Sequence, residues 1–282
     1  MMIMEKEIAV ITGATSGLGL AYAERMASDG YDLIITGRRE EIIKANAERL
    51  KREYGCEVEI CIADLSNETG LEKLINIVDD RNISVLVNNA GFGLKTEFID
   101  TSLSDIERLL YLQILTVTKL TYVILNGMKE RNRGTIINIS SDGTFAVMPK
   151  NVVYSSSKLY IINFTEGLHM ELADYDIRVQ VVCPGFIDSD FHDRAGMAVD
   201  KSRKGIFGFN SPGDIVNIAM EDLRKNAVVC VPDKGAKLVR SIGKYMPRKI
   251  FYRFAVRFSA DMVRNNKASR GNKSGAFGIH RL

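Results

Sequence analysis

The amino-acid sequence predicts a doubly wound α/β fold, a parallel sheet with helices on both faces. Two observations predict it. Over the first 185 residues, short apolar runs alternate with longer stretches of helical period, the alternation that parallel crossovers require. The interiors of the runs are nearly continuous Val, Ile and Leu, as in strands buried on both faces.

The first strand is Ile8–Thr12, which runs into a glycine-rich turn and a helix at about 18–29. Strand Asp32–Thr36 and a helix at about 39–54 follow, then strand Val58–Ala63 and a helix at about 67–80. Strand Ser84–Val87 leads to a long helix at about 102–131, and strand Thr135–Ile139 to one at about 153–175. The sixth strand is Arg178–Val182. After Pro184 the period is lost, and residues 186–210 read as a loop. Ser211-Pro212-x-Asp214 opens another helix, with proline in the first turn, where no intrahelical N–H bond is lost. That helix runs to about Asn226, and Ala227–Val231 is a last short strand.

Of the 282 residues 46% are hydrophobic and 26% charged, which excludes disordered, collagen-like and disulfide-framework classes. No run approaches the roughly 18 apolar residues that span a bilayer. Met1–Ile3 meets Glu5, Lys6 and Glu7 too soon for a signal peptide, so a cytoplasmic protein is expected. Cys56, Cys61, Cys183 and Cys230 lack C-x-x-C spacing and read as reduced core thiols. His169, His192 and His280 share no ligand spacing, and no metal site is expected.

The turn after the first strand reads Gly13-Ala-Thr15-Ser16-Gly17-Leu18-Gly19. Glycines let backbone N–H groups approach a pyrophosphate, and the following helix adds its positive end. This makes the fold Rossmann-type, although the spacing is G-x-x-x-G-x-G. Strand two ends in Gly37-Arg38-Arg39, where sites for NAD usually carry an acid for the ribose 2′-hydroxyl. A guanidinium pairs with a 2′-phosphate instead, so NADP(H) is the expected cofactor. Asp64, followed by Leu65, ends strand three where it can accept from an adenine amino group, and Asn88-Asn89-Ala90-Gly91 brings small residues to the cofactor. Ser141 ends strand five, and Tyr154 and Lys158 lie one turn apart on the next helix. An ammonium near a phenol favours the phenolate, and a serine hydroxyl can hold a carbonyl oxygen.

These motifs together resemble the short-chain dehydrogenase/reductase family, nearest its 3-oxoacyl, ketoacyl and hydroxysteroid reductases, over roughly residues 5–232. The resemblance implies Tyr154 as acid–base, Lys158 lowering its pKa and binding the nicotinamide ribose, and Ser141 orienting substrate. It implies that Pro184, Gly185, Ile187 and Ser189 flank the nicotinamide, that residues 186–210 form the substrate loop, and that the pro-S hydride is transferred. Where the family usually has an asparagine that positions a proton-relay water, this chain has Gln113, which keeps the amide on a longer arm. Gly93, Leu94, Thr144, Phe145, Val147, Met148, Phe186, Phe191 and Phe207 are candidate pocket walls, and their apolar character suits a lipid-like or steroid-like carbonyl. His192 reads as a solvated loop histidine. A homo-oligomer through the helices at 102–131 and 153–175 is implied. The alternative function is a non-catalytic NADP(H)-binding sensor or scaffold.

The expected division is a catalytic unit, 1–233, and a basic extension, 234–282. The extension has 13 Lys and Arg against one acid, Asp261, a charge of +12 beside −9 for the rest. Ile250, Phe254 and Phe258 recur every four residues beside Lys249, Arg253 and Arg257, the pattern of a basic amphipathic helix. It can pack on its own acidic body, on a partner subunit, or on an anionic membrane surface. Nucleic acid is not an expected partner.

Overall fold

The computed structural model describes residues 6–94, 96–146, 149–187, 210–253 and 255–256. The described strands are β1 (Ile8–Thr12), β2 (Asp32–Gly37), β3 (Val58–Ile62), β4 (Ile83–Asn88), β5 (Gly134–Ile139), β6 (Ile177–Val182) and β7 (Val229–Cys230). They form one sheet in the order β3-β2-β1-β4-β5-β6-β7, with every pair parallel. The direction reverses between β1 and β4, the switch point at which open α/β sheets bind ligands.

The described helices are α1 (Gly17–Ser28), α2 (Glu40–Tyr54), α3 (Glu68–Val78), α4 (Leu103–Leu110), α5 (Val117–Glu130), α6 (Val152–Glu171), α7 (Pro212–Arg224) and α8 (Lys234–Tyr245). Alternate strand residues feed two cores. Ala9, Ile11, Leu33, Ile35, Val85 and Val87 pack with α1, α2 and α7. Val10, Ile34, Leu86 and Ile136 pack with α3, α5 and their neighbours. Both faces are therefore dry, as the unbroken apolar runs require. Truncating Ile11 or Leu86 to alanine removes about 2–5 kcal/mol.

The helix expected at 102–131 is not uniform. Tyr111–Thr116, between α4 and α5, is a π-helical segment, a local widening that re-aims side chains and recurs at functional sites. The whole stretch Leu103–Glu130 is long and apolar enough to cross a membrane by length and composition, contrary to the reading that no run approaches this. Leu109, Leu112, Leu120, Ile124 and Met128 are nevertheless buried, so its apolar character is that of a core helix. Ser211 caps α7 by accepting from the Asp214 N–H at 3.1 Å, as its sequence predicts. All four cysteines are free and buried.

Beyond β7, Asp233 caps α8, and helical backbone resumes at 248–253. Phe251 and Ala255 are the buried positions there, whereas Ile250 is exposed. The inward face is thus turned by one residue from the Ile250/Phe254/Phe258 register; Phe254 and Phe258 lie outside the described residues.

Candidate active site

β1 delivers Gly13 to the carboxyl edge of the sheet. Gly13 and Gly17 have φ of 72° and 60°, the left-handed region that only glycine enters freely. A Cβ on Gly19 would sit 2.2 Å from the Gly13 carbonyl oxygen, so the first turn of α1 is pressed against the loop. Asn89 fixes the turn from β4: its Nδ2 donates to the carbonyls of Thr12 (2.8 Å) and Gly13 (3.2 Å). The Thr12 hydroxyl accepts from the backbone N–H groups of Asn89 and Ala90. α1 starts with no side-chain cap and no acid in its first turn, which suits its N–H groups to a phosphate. The Leu18 and Leu65 side chains are buried in the cores, so only their backbone can meet a nucleotide.

Arg39 reaches from the start of α2 over this loop, donating to Thr15 Oγ1 at 2.7 Å and Ser16 Oγ at 2.8 Å. A Cβ on Gly37 would lie 2.5 Å from Thr15 Cγ2 and 3.2 Å from Ile43 Cδ1, leaving no room for an acid at the end of β2. Arg38 lies 3.5 Å and Arg108 3.4 Å from Asp64. Burial alone would raise the Asp64 pKa, but hydrogen bonds from Ser66 and the two guanidinium groups hold it below the usual carboxylate value. The loop, its two hydroxyls and these arginines fit a dinucleotide with an additional phosphate.

Ser141 leaves β5 with extended backbone. Its Oγ accepts from the Gly143 N–H at 3.1 Å and lies 3.4 Å from Asp142 Oδ1, and its hydroxyl opposes the rise in the pKa of the neighbouring Tyr154 phenol. Lys158, one turn along α6, has its Nζ 5.9 Å from the centre of the Tyr154 ring and donates to the Ile139 carbonyl at 2.8 Å. Burial pushes Tyr154 up to about 12, with the Ser141 bond opposing and the Asp142 charge adding. Burial pulls Lys158 down to about 8. Lys158 donates to a backbone carbonyl, and desolvation is the largest cause of both shifts.

Gln113 lies in the π-helical segment and is buried. Its Nε2 donates to the Phe92 carbonyl at 2.6 Å, and its Oε1 accepts from Ser157 Oγ at 2.8 Å. It clasps the loop after β4 to the turn of α6 between Tyr154 and Lys158. Its Nε2 and Lys158 Nζ each lie 3.4 Å from where a side chain on Gly91 would begin. Pro184 and Gly185 follow β6 at the same edge, and Ile187 bridges to Asn210, closing the ends of the expected substrate loop. Ser189, His192, Val147, Met148, Phe191 and Phe207 lie outside the described residues.

Sequence reasoning missed a buried polar ladder. Asn88 Nδ2 donates to Thr121 Oγ1 and Asn138 Oδ1, and Asn138 Nδ2 donates to Thr165 Oγ1, joining β4, β5, α5 and α6 under the site. The signal was an asparagine at or next to the end of an apolar strand, Asn88 of β4 and Asn138 of β5. Asp142 and Asp233 were missed too; nothing in their spacing brings them together.

A phosphate loop, a serine, a tyrosine and a lysine gathered at one edge of a parallel sheet define a nucleotide-dependent oxidoreductase of the α/β class. The chain belongs to the short-chain dehydrogenase family, whose sequence pattern matches residues 7–198. It is 33% identical over 224 residues to the 3-oxoacyl-acyl-carrier-protein reductase FabG of Aquifex aeolicus, covering 77% of this chain and 90% of that one. It is 27% identical to the very-long-chain 3-oxoacyl-CoA reductase of Mus musculus, over 95% of this chain and 84% of the relative. A short-chain dehydrogenase from Sphingobium yanoikuyae, solved in complex with NADPH, superposes with a TM-score of 0.76 at 27% identity, over 98% of each chain.

Proposed function

We propose that this oxidoreductase is an NADP(H)-dependent reductase of apolar carbonyl compounds, acyl or bulky-ketone in class. The observation that carries the reading is the gathering of Ser141, Tyr154 and the buried Lys158 at the edge that holds the phosphate loop. NADPH supplies the hydride when bound. Arg39, Arg38, Thr15 and Ser16 would hold its 2′-phosphate, and the loop from Gly13 to Gly19 its pyrophosphate. Tyr154 gives its phenolic proton to the carbonyl oxygen, and Ser141 donates a hydrogen bond to the same oxygen. The Lys158 ammonium favours the phenolate left behind. The names of the relatives, 3-oxoacyl reductases, support an apolar substrate.

The test is a titration with NADPH and NADH followed by nicotinamide fluorescence, which an absence of Trp keeps free of background. Ketones and 3-oxoacyl thioesters are then compared with polyols, using Tyr154→Phe as the inactive control. Preference for NADH or for polyols sinks the corresponding half of the reading. A sensor or scaffold would keep its effect in Tyr154→Phe; no specific observation favours it.

Two surfaces extend the proposal. Leu115 in the π-helical segment and Tyr122 on α5, and Val152 and Leu159 on α6, are exposed at i, i+7 spacing. Matching apolar stripes on neighbouring helices suit a two-fold contact with a second copy, and sedimentation of Tyr122→Asp as a monomer would support it. The basic face of the C-terminal stretch suits peripheral contact with an anionic membrane.

A further inference from the structure

The residue after Ser141 is ionisable, and the reaction just proposed does not use it. The Asp142 backbone N–H donates to the Pro184 carbonyl at 2.9 Å, which sets its side chain against Gly185. A Cβ on Gly185 would lie 3.2 Å from Asp142 Oδ2 and 3.0 Å from Asp233 Oδ2, so two carboxylates converge on one point. Asp233 is fixed by the Gly185 N–H at 2.9 Å and the Ala236 N–H at 2.6 Å, at the cap of α8. Asp142 Oδ1 lies 3.4 Å from the Ser141 hydroxyl. The other ionisable groups nearby are Tyr154 of α6, Cys183 at the end of β6, and Arg240 of α8, whose guanidinium stacks 5.6 Å from the Phe145 ring centre.

We propose that Asp142 is a positioning residue for Ser141, making carbonyl reduction pH-dependent through the direction of one hydroxyl proton. The proposal rests on the reading of Ser141 and Tyr154 as reacting groups. Ser141 has a single proton to donate, and the Gly143 N–H already occupies one of its lone pairs. An ionised Asp142 draws that proton towards its Oδ1. A neutral Asp142 loses most of that pull, and the proton is free for the phenol or the substrate oxygen. Burial first, and then the Asp233 charge, push Asp142 up to about 7. Below that pH the carboxyl is neutral and reduction is favoured; above it, reduction falls.

The measurement is the pH profile of kcat/KM for ketone reduction in wild type, Asp142→Asn and Asp233→Asn. In wild type the decline begins near pH 7. In Asp142→Asn it moves up to the limb near pH 8 that Lys158 supplies, and kcat/KM at pH 7.5 exceeds wild type by roughly two- to tenfold, the worth of one hydrogen bond. In Asp233→Asn the decline moves to lower pH, because the charge that raises Asp142 is gone. A merely structural role would lower all points together. A profile of Asp142→Asn that superposes on wild type overturns the proposal.

Thermal unfolding gives a second readout that needs no turnover. Asp142 has its folded pKa raised above the unfolded value, so its ionisation destabilises the fold above about pH 7 and not below the unfolded pKa. Asp142→Asn therefore raises Tm at pH 8 relative to wild type, and this gain vanishes near pH 4. A gain independent of pH also overturns the proposal. Wild type that binds NADPH yet reduces no carbonyl overturns the reductase reading and this one with it, a result distinguishable because the pH-dependent Tm gain persists.

Discussion

Arg39 and Lys158 show how much one side chain decides. Arg39 makes two short hydrogen bonds to the phosphate loop, and a charged hydrogen bond is worth about 1.5–3 kcal/mol. Arg39→Ala should weaken NADPH binding by roughly ten- to a hundredfold and leave NADH binding within a few-fold, as read by nicotinamide fluorescence. Equal losses for both would show that Arg39 braces the loop and does not read the 2′-phosphate. Lys158 carries the opposite balance. Its folded pKa, about 8, lies below the usual lysine value of 10.5, so burying the ammonium disfavours folding fully below pH 8. That penalty fades as pH rises towards the unfolded pKa. Lys158→Met should be more stable than wild type at pH 7 by about 1–3 kcal/mol, with the gain shrinking above pH 8, and should lose turnover. A variant less stable at pH 7 in urea unfolding would mean that the Ile139 hydrogen bond outweighs desolvation.

At the scale of elements, α8 is the helix whose position least follows from pattern. A Cβ on Gly243 would overlap the Phe145 carbonyl oxygen at 1.8 Å, so α8 lies backbone-to-backbone on the turn that follows Ser141. Gly243→Val should therefore destabilise by about 1–3 kcal/mol and lower kcat by displacing that turn. Gly167→Ala, on α6 with nothing within 4 Å of the added carbon, should stabilise by about 0.5–1 kcal/mol. If Gly243→Val matches wild type in both stability and kcat, α8 does not brace the site. The parallel sheet and most of the helices were legible because burial on both faces forces an apolar run, and crossovers force the alternation. Ser141, Tyr154 and Lys158 were legible because their chemistry demands a strand end followed by one helix turn. The π-helical break at Gln113 was not, because it preserves the apolar period on either side. Nor was the Asp142–Asp233 pair, which only the meeting of β5, β6 and α8 creates.

Across the whole molecule, charge separates along the chain. Residues 234–256 carry seven Lys and Arg and no acid. If this stretch docked on the acidic body by charge, ion pairs would join them, yet among the described residues none involves these seven. What holds it are Ala236, Phe251 and Ala255, which are buried, and the close approach at Gly243. Leu238, Ile242 and Tyr245, at i, i+4, i+7 on α8, are exposed and flanked by Lys234, Lys237 and Lys244. An apolar stripe bordered by cations suits the headgroup region of an anionic bilayer, where each basic residue near the surface contributes about 1 kcal/mol. The turn after Ser141 lies under the same helix, so a docked protein would hold its site near lipid, the source the proposed acyl substrates would come from. Vesicles with anionic lipid should sediment the protein at low salt, neutral vesicles should not, and binding should fade as the Debye length shrinks below about 10 Å. Lys237→Glu with Lys244→Glu should abolish sedimentation while leaving NADPH binding intact. Equal sedimentation by neutral vesicles, or retention by the double variant, would assign the basic face to another partner.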